Sequence, residues 1–142
     1  MCVQVRFIKL EPEAKPFTYA HENDACMDIY SLRDFYLRTG RTYKVPTGIA
    51  IQLPIGYAGR VIGRSGLSSE GLLVSHGVVD EGYRGPIHVI ITNTSHDSYQ
   101  IKKGDRIAQF SVHKAHRIDL QEVDEFIGES ERGVGGFGST GK

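Results

Sequence analysis

Asp80 and Tyr83 lie in one short segment, Gly77-Val78-Val79-Asp80-Glu81-Gly82-Tyr83-Arg84-Gly85, with apolar strand-like sequence on both sides. A carboxylate of ordinary pKa, about 4, is ionised at neutral pH and can take a proton from an attacking water, so neither histidine nor serine is needed. The nearby aromatic ring can form the floor under a sugar. The flanking pattern reads as a hairpin that turns around Glu81-Gly82. An aspartate on such a turn ordinarily bonds its own backbone. An aromatic and an arginine exposed on the same turn argue for more than that.

The end of the chain offers a second set of groups. Arg132-Gly133-Val134-Gly135-Gly136-Phe137-Gly138-Ser139-Thr140-Gly141-Lys142 cannot fill a core but can close over a ligand. Its amides and hydroxyls suit phosphate oxygens, its ring suits a planar base, and the Arg132 fork suits phosphate. Glycine content alone would equally describe a loose tail. Its phenylalanine and arginine favour a nucleotide lid.

Three further segments carry candidates. Arg64 precedes an expected short helix over 65–73, opened by Ser65 and ended by Gly71, where amides and the helix dipole favour an anion; Ser65 is also an ordinary N-cap. Gln109, polar among apolar neighbours in Gly104-Asp105-Arg106-Ile107-Ala108-Gln109-Phe110, reads as a ligand contact, whereas Asp105 and Arg106 read as a turn entering a strand. Asn23-Asp24-Ala25-Cys26-Met27-Asp28-Ile29-Tyr30-Ser31 says almost nothing alone. His113 and His116 lack an accompanying Cys or carboxylate cluster, so no protein-held zinc set is apparent. No Gly-Lys-Ser/Thr phosphate loop and no dinucleotide fingerprint occur.

The elements that must position these groups have period two. Val3, Val5 and Phe7 alternate with polar residues, as do Ile49, Ile51 and Leu53, and Ile87, Val89 and Ile91; each run suits a strand with one buried face. Turn signals fall at Thr39-Gly40, Pro46-Thr47-Gly48, Pro54-Ile55-Gly56, Glu81-Gly82 and Lys103-Gly104. Many short strands indicate an all-β barrel or sandwich. Leu120, Val123 and Phe126 are ambiguous between strand and helix. The chain of 142 residues reads as one domain, a β body over 1–127 and a Gly-rich arm over 128–142.

Lys+Arg and Asp+Glu both number 17, which argues against a nucleic-acid polymer as partner and leaves room for a small anion. No apolar run is long enough to span a bilayer and no apolar leader is apparent, so no membrane role is expected. Cys2 and Cys26 suit reduced thiols in a cytoplasmic protein, with nuclear or viral-host settings also open.

Taken in order, DACMDIYS, GRSGLSS, GVVDEGYRG continuing to Asn93, GDRIAQF and RGVGGFGSTG closely resemble the five motifs of the trimeric deoxyuridine triphosphatase family. The match runs from about Asp24 to Gly141, in the family's order and spacing. Each motif alone is weak; five in register are specific. The resemblance implies a jelly-roll β protein with one short helix and a flexible C-terminal arm. It implies hydrolysis of dUTP to dUMP and pyrophosphate, with Mg²⁺ on the triphosphate, lowering dUTP and supplying dUMP for thymidylate synthesis.

By motif position, Asp80 resembles the group that orients and deprotonates the water attacking the α-phosphorus. Tyr83 resembles the ring under deoxyribose that excludes a 2′-hydroxyl. Main chain near Gly77 and His88 would bond the uracil edge, with the His88 side chain expected to point away. Arg64, Ser65, Gly66 and Gln109 match phosphate contacts, and Asp28 a carboxylate that reaches the metal through water. Arg132, Gly138, Ser139 and Thr140 would grip the distal phosphates while Phe137 stacks on uracil. The resemblance further implies a homotrimer whose sites are shared between chains. Cys26, Gly82 and His88 depart from the common family residues. A deaminase acting on dCTP with the same fold, or a non-catalytic trimeric module that binds partner proteins, would differ by an added acid/base carboxylate or by a lost base or lid.

Overall fold

A computed structural model describes residues 2–138 and 141. Ten strands and one helical turn follow in the order β1 Arg6–Lys9, β2 Met27–Tyr30, β3 Phe35–Leu37, β4 Thr42–Gln52, β5 Tyr57–Ile62, α1 Ser65–Ser69, β6 Leu72–Val74, β7 Gly77–Val79, β8 Pro86–Asn93, β9 Tyr99–Ile101 and β10 Arg106–Lys114. They build two four-stranded sheets, β1-β4-β8-β6 and β2-β10-β5-β7, and a ribbon β3-β9. All pairings are antiparallel. The sheets do not close into a barrel, and the fold is an all-β sandwich of jelly-roll type.

Period two becomes packing most plainly in β8. Ile87, Val89, Ile91 and Asn93 are buried, while Pro86, His88, Ile90 and Thr92 stand on the opposite face. Their partners across the sandwich include Ile29, Val61, Val79, Ile107 and Phe110 from the second sheet. Thr47 is a polar group inside this core. Its hydroxyl donates to Ile87 O at 2.8 Å and accepts the Ile49 N–H at 3.2 Å, so it leaves nothing unpaired.

Four expectations change. Pro46-Thr47-Gly48 does not separate strands but lies inside β4, where the register shifts between Pro46 and Ala50. Gly48 absorbs that bulge with φ of +71°, and a Cβ there would meet Ala14 Cβ at 2.7 Å. The segment around Glu81-Gly82 is not a hairpin. β7 pairs with β5 in one sheet and β8 with β4 and β6 in the other, so the turn crosses between sheets. β1 has no buried face, since Arg6, Phe7, Ile8 and Lys9 are all exposed. Leu120, Val123 and Phe126 lie in neither strand nor helix and are exposed, because β10 ends at Lys114.

The helix starts where expected but is shorter than the expected span over 65–73, since it ends at Ser69 and Leu72 and Leu73 enter β6. Ser65 is its first helical residue, and Arg64 takes the capping position in extended conformation without a side-chain capping bond. Gly71, with φ of +86°, ends the turn. Among the described residues no helix is long and apolar enough to cross a membrane.

Candidate active site

Asp80 is placed by the strand before it. Val79 is buried and pairs with Gly59 of β5, and Val78 pairs with Arg60, so β7 delivers Asp80 to the exposed end of the strand. The chain then turns, with the Tyr83 N–H donating to Asp80 O at 3.0 Å. Arg84 Nη1 donates to the carbonyls of Glu81 at 2.6 Å and Tyr83 at 3.0 Å and so braces the turn from outside. Beyond it Ile87 enters the core and fixes the start of β8.

Between the two sheets this turn leaves a cleft of about 240 Å³. Asp80, Tyr83, Gly77 and His88 line it, together with Lys44 and Val61. Tyr83 Oη donates to Pro86 O at 2.9 Å, and His88 Nδ1 lies 3.2 Å from the same oxygen. One carbonyl therefore anchors both side chains. His88 is among the residues that line the cleft, and its ring nitrogen is turned back onto Pro86 O.

A second group forms on the outer face of sheet β2-β10-β5-β7. Gln109 pairs with Asp28 on one side and Ile62 on the other, and cross-strand neighbours share a face. Asp28 is buried there at 4% exposure. Its two oxygens face two guanidiniums, Arg64 Nε and Arg106 Nε, each at 3.4 Å. Arg64 Nη1 also donates to Arg106 O at 3.2 Å. Arg64 and Arg106 line a cleft of about 280 Å³ with Leu67, Tyr99 and Asp105. Ser65 and Gly66 stand exposed beside it.

Sequence reasoning missed Arg106. The Asp105 half of that reading holds, because its carboxylate accepts the Lys102 N–H at 2.8 Å as a turn residue does. Arg106 opens β10, as that reading has it, and in addition faces Asp28. The signal available was the register of β10 against β2, which period two alone does not supply. Two phenols flank the group. Burial pushes Tyr30 up, but hydrogen bonding to Thr18 and Arg106 and the charges of Lys15 and Arg106 outweigh it, leaving it below the ordinary phenol value. Tyr99 is raised by burial and then by the charges of Glu70 and Asp105.

Among the described residues, the arm lines neither cleft. Arg132 Nε donates to Gly135 O at 2.9 Å. Phe137 is fully exposed with φ of +50°, and Gly138 follows at φ of +89°. Ser139 and Thr140 lie outside the described residues. The structure thus sorts the sequence-predicted groups into three places: Gly77, Asp80, Tyr83 and His88; Asp28, Arg64, Ser65, Gly66 and Gln109; and Arg132, Phe137 and Gly138. Among the described residues no group of three or more His, Cys, Asp or Glu is arranged to hold a metal.

Comparison with known proteins identifies the family to which a chain of this fold belongs. The family model for dUTPase matches residues 12–141. The deoxyuridine 5'-triphosphate nucleotidohydrolase of Clostridium tetani is 40% identical over 136 residues, covering 94% of this chain and 93% of that protein. The dUTPase of Staphylococcus bacteriophage 80alpha, solved with dUPNHPP, has a TM-score of 0.93 at 30% identity, covering 98% of this chain and 99% of that one. A dUTPase from phage phi11 of S. aureus, which coordinates a structural Mg(II) ion, has a TM-score of 0.82 at 26% identity and covers 87% of this chain and 98% of that one. With a family model spanning nearly the whole chain and relatives matched over most of their own length, the chain belongs to the dUTPase family.

Proposed function

We propose that this chain hydrolyses dUTP to dUMP and pyrophosphate by attack of water on the α-phosphorus. The observation that carries the reading is the cleft in which Asp80, Tyr83, Gly77 and His88 meet. Uracil bonds main-chain groups near Gly77 and His88, deoxyribose lies on Tyr83, and the α-phosphate reaches Asp80. The Asp80 carboxylate takes a proton from water as its oxygen bonds phosphorus. The bond from the α-phosphorus to the bridging oxygen breaks, and pyrophosphate leaves with that electron pair.

Charge neutralisation falls to Arg64, with Ser65, Gly66 and Gln109 as further phosphate contacts, and to the arm through Arg132, Gly138, Ser139 and Thr140. Phe137 stacks on the base. Positioning and electrostatics of this kind supply most of what phosphoryl chemistry needs. Mg²⁺ bound with the triphosphate would supply counter-charge there and would need few protein ligands. Asp28 faces two arginines with both oxygens, so its contact with the metal runs through water at most.

Completion of the site by neighbouring copies is part of the proposal. Asp80 follows the residue paired with Gly59, whereas Arg64 lies beyond Ile62 at the other end of β5. At about 3.3 Å per residue the two stand roughly 15–20 Å apart along the strand. A homotrimer in which one chain gives the Asp80 cleft, a second the Arg64 group and a third the arm brings them onto one nucleotide. The product dUMP feeds thymidylate synthesis, and the setting is cytoplasmic.

Pyrophosphate release from dUTP, dTTP, dCTP and UTP with Mg²⁺ tests the activity. Release from dUTP alone is expected, and ammonia from dCTP would contradict it. Mixing Asp80→Asn with Arg64→Ala chains tests the sharing. Refolded mixtures should exceed both parents, and mixtures no better than their parents would place the whole site in one chain.

A further inference from the structure

The turn that carries Asp80 is also fastened from the side, by the residue next to it. Glu81 Oε2 accepts the main-chain N–H of Gly56 at 2.5 Å, which joins the β7–β8 connection to the turn between β4 and β5. That turn presents its donor in a defined geometry: Gly56 has φ of +81°, and the Tyr57 N–H closes onto Pro54 O at 3.2 Å. The other Glu81 oxygen faces Arg117 at 3.8 Å, but the arginine side chain is 96% exposed and solvent screens the pair.

The other restraints on Asp80 lie in β7 and inside the turn. Val79 is paired to Gly59 of β5, and the Asp80 carbonyl accepts the Tyr83 N–H. The first holds the strand before Asp80 and the second stays within the turn, so neither ties the residues after Asp80 to a separate element. The Glu81 side chain does, and its charge-assisted bond to an amide is of the stronger kind. A general base works only at roughly 2.6–3.2 Å from the proton it takes. A misplacement of about 1 Å can cost roughly 100-fold in rate.

We propose that Glu81 is a positioning residue for the hydrolytic step, setting through Gly56 where the Asp80 carboxylate stands relative to the attacking water. The proposal rests on the reading of Asp80 as the base. Its effect passes through the hydrogen bond to Gly56 and not through the field of its charge at the phosphate.

Steady-state kinetics of the full-length protein on Mg-dUTP test this with four variants. Glu81→Met keeps the side-chain length but has no comparable acceptor, and should lower kcat about 10- to 100-fold with KM little changed. Glu81→Gln keeps an acceptor for the Gly56 N–H and should return kcat close to the parent. Arg117→Ala should leave kcat unchanged. In an Asp80→Asn background, Glu81→Met should cost nothing further, because the two residues act through one step. A Glu81→Met enzyme at full speed, a Glu81→Gln enzyme as slow as Glu81→Met, or an additional loss in the Asp80→Asn background would each overturn the proposal. If Asp80→Asn alone keeps full turnover, the base reading itself falls. If Asp80→Asn is slow while Glu81→Met is not, only the tether falls.

Discussion

The ring of Tyr83 lies directly against Gly85: a Cβ built on that glycine would meet Tyr83 Oη at 2.5 Å and Cζ at 2.6 Å. With Oη bonded to Pro86 O, the ring is held by its tip and by one edge. Its place on the cleft wall is therefore set by a missing side chain two residues away. Gly85→Ala should push the ring off its seat, raising KM for dUTP and narrowing the preference over UTP. Tyr83→Ala should narrow it further. Competition assays with dUTP and UTP measure both, and an unchanged ratio would remove the ring from its role under the sugar.

Asp80→Asn should bind a non-hydrolysable dUTP analogue about as well as the parent while turning over more slowly by about 10²–10⁴-fold, the usual worth of a positioned base. Calorimetry on the analogue and pyrophosphate release on dUTP separate the two quantities.

Removal of residues 132–142 should leave the thermal melt and oligomeric state unchanged and impair hydrolysis, since the described part of this segment is exposed apart from the half-buried Gly135 and Gly136 and bonds only within the arm. Phe137→Ala alone should cost about 1–3 kcal/mol of substrate interaction, the worth of one base–aromatic stack. A truncated chain that fails to fold would make the arm structural.

Gly59 tests the placement of Asp80 from the other side. It pairs with Val79 on one edge and Val112 on the other, and a Cβ there would meet Phe110 Cζ at 2.5 Å and Cε2 at 2.8 Å. Gly59→Ala should destabilise by about 1–3 kcal/mol, the ordinary cost of overpacking. Calorimetry should show the melting point fall by about 2–4 °C for each kcal/mol.

Much of this was legible in the residues. Ile87, Val89 and Ile91 announce the buried face of β8, and Gly77-to-Gly85 announces a turn with chemistry on it. Pairing was less legible. The apolar runs on either side of Asp80 read as partners, yet each finds a different sheet, because alternation sets which face is buried and not which strand lies alongside. The same gap hid Arg106, whose contact with Asp28 depends on the β2–β10 register. The Phe7 strand failed for another reason, since alternation marks an apolar face without saying what covers it. Glu81 was read as a turn residue because its bond reaches Gly56, distant in sequence.

Water labelled with oxygen-18 tests the central claim most directly. Hydrolysis of dUTP in that water, with Mg²⁺ present, should place the label in the phosphate of dUMP, because the water that Asp80 activates joins the α-phosphorus. Label found in pyrophosphate, or no cleavage of dUTP at all, would contradict the account.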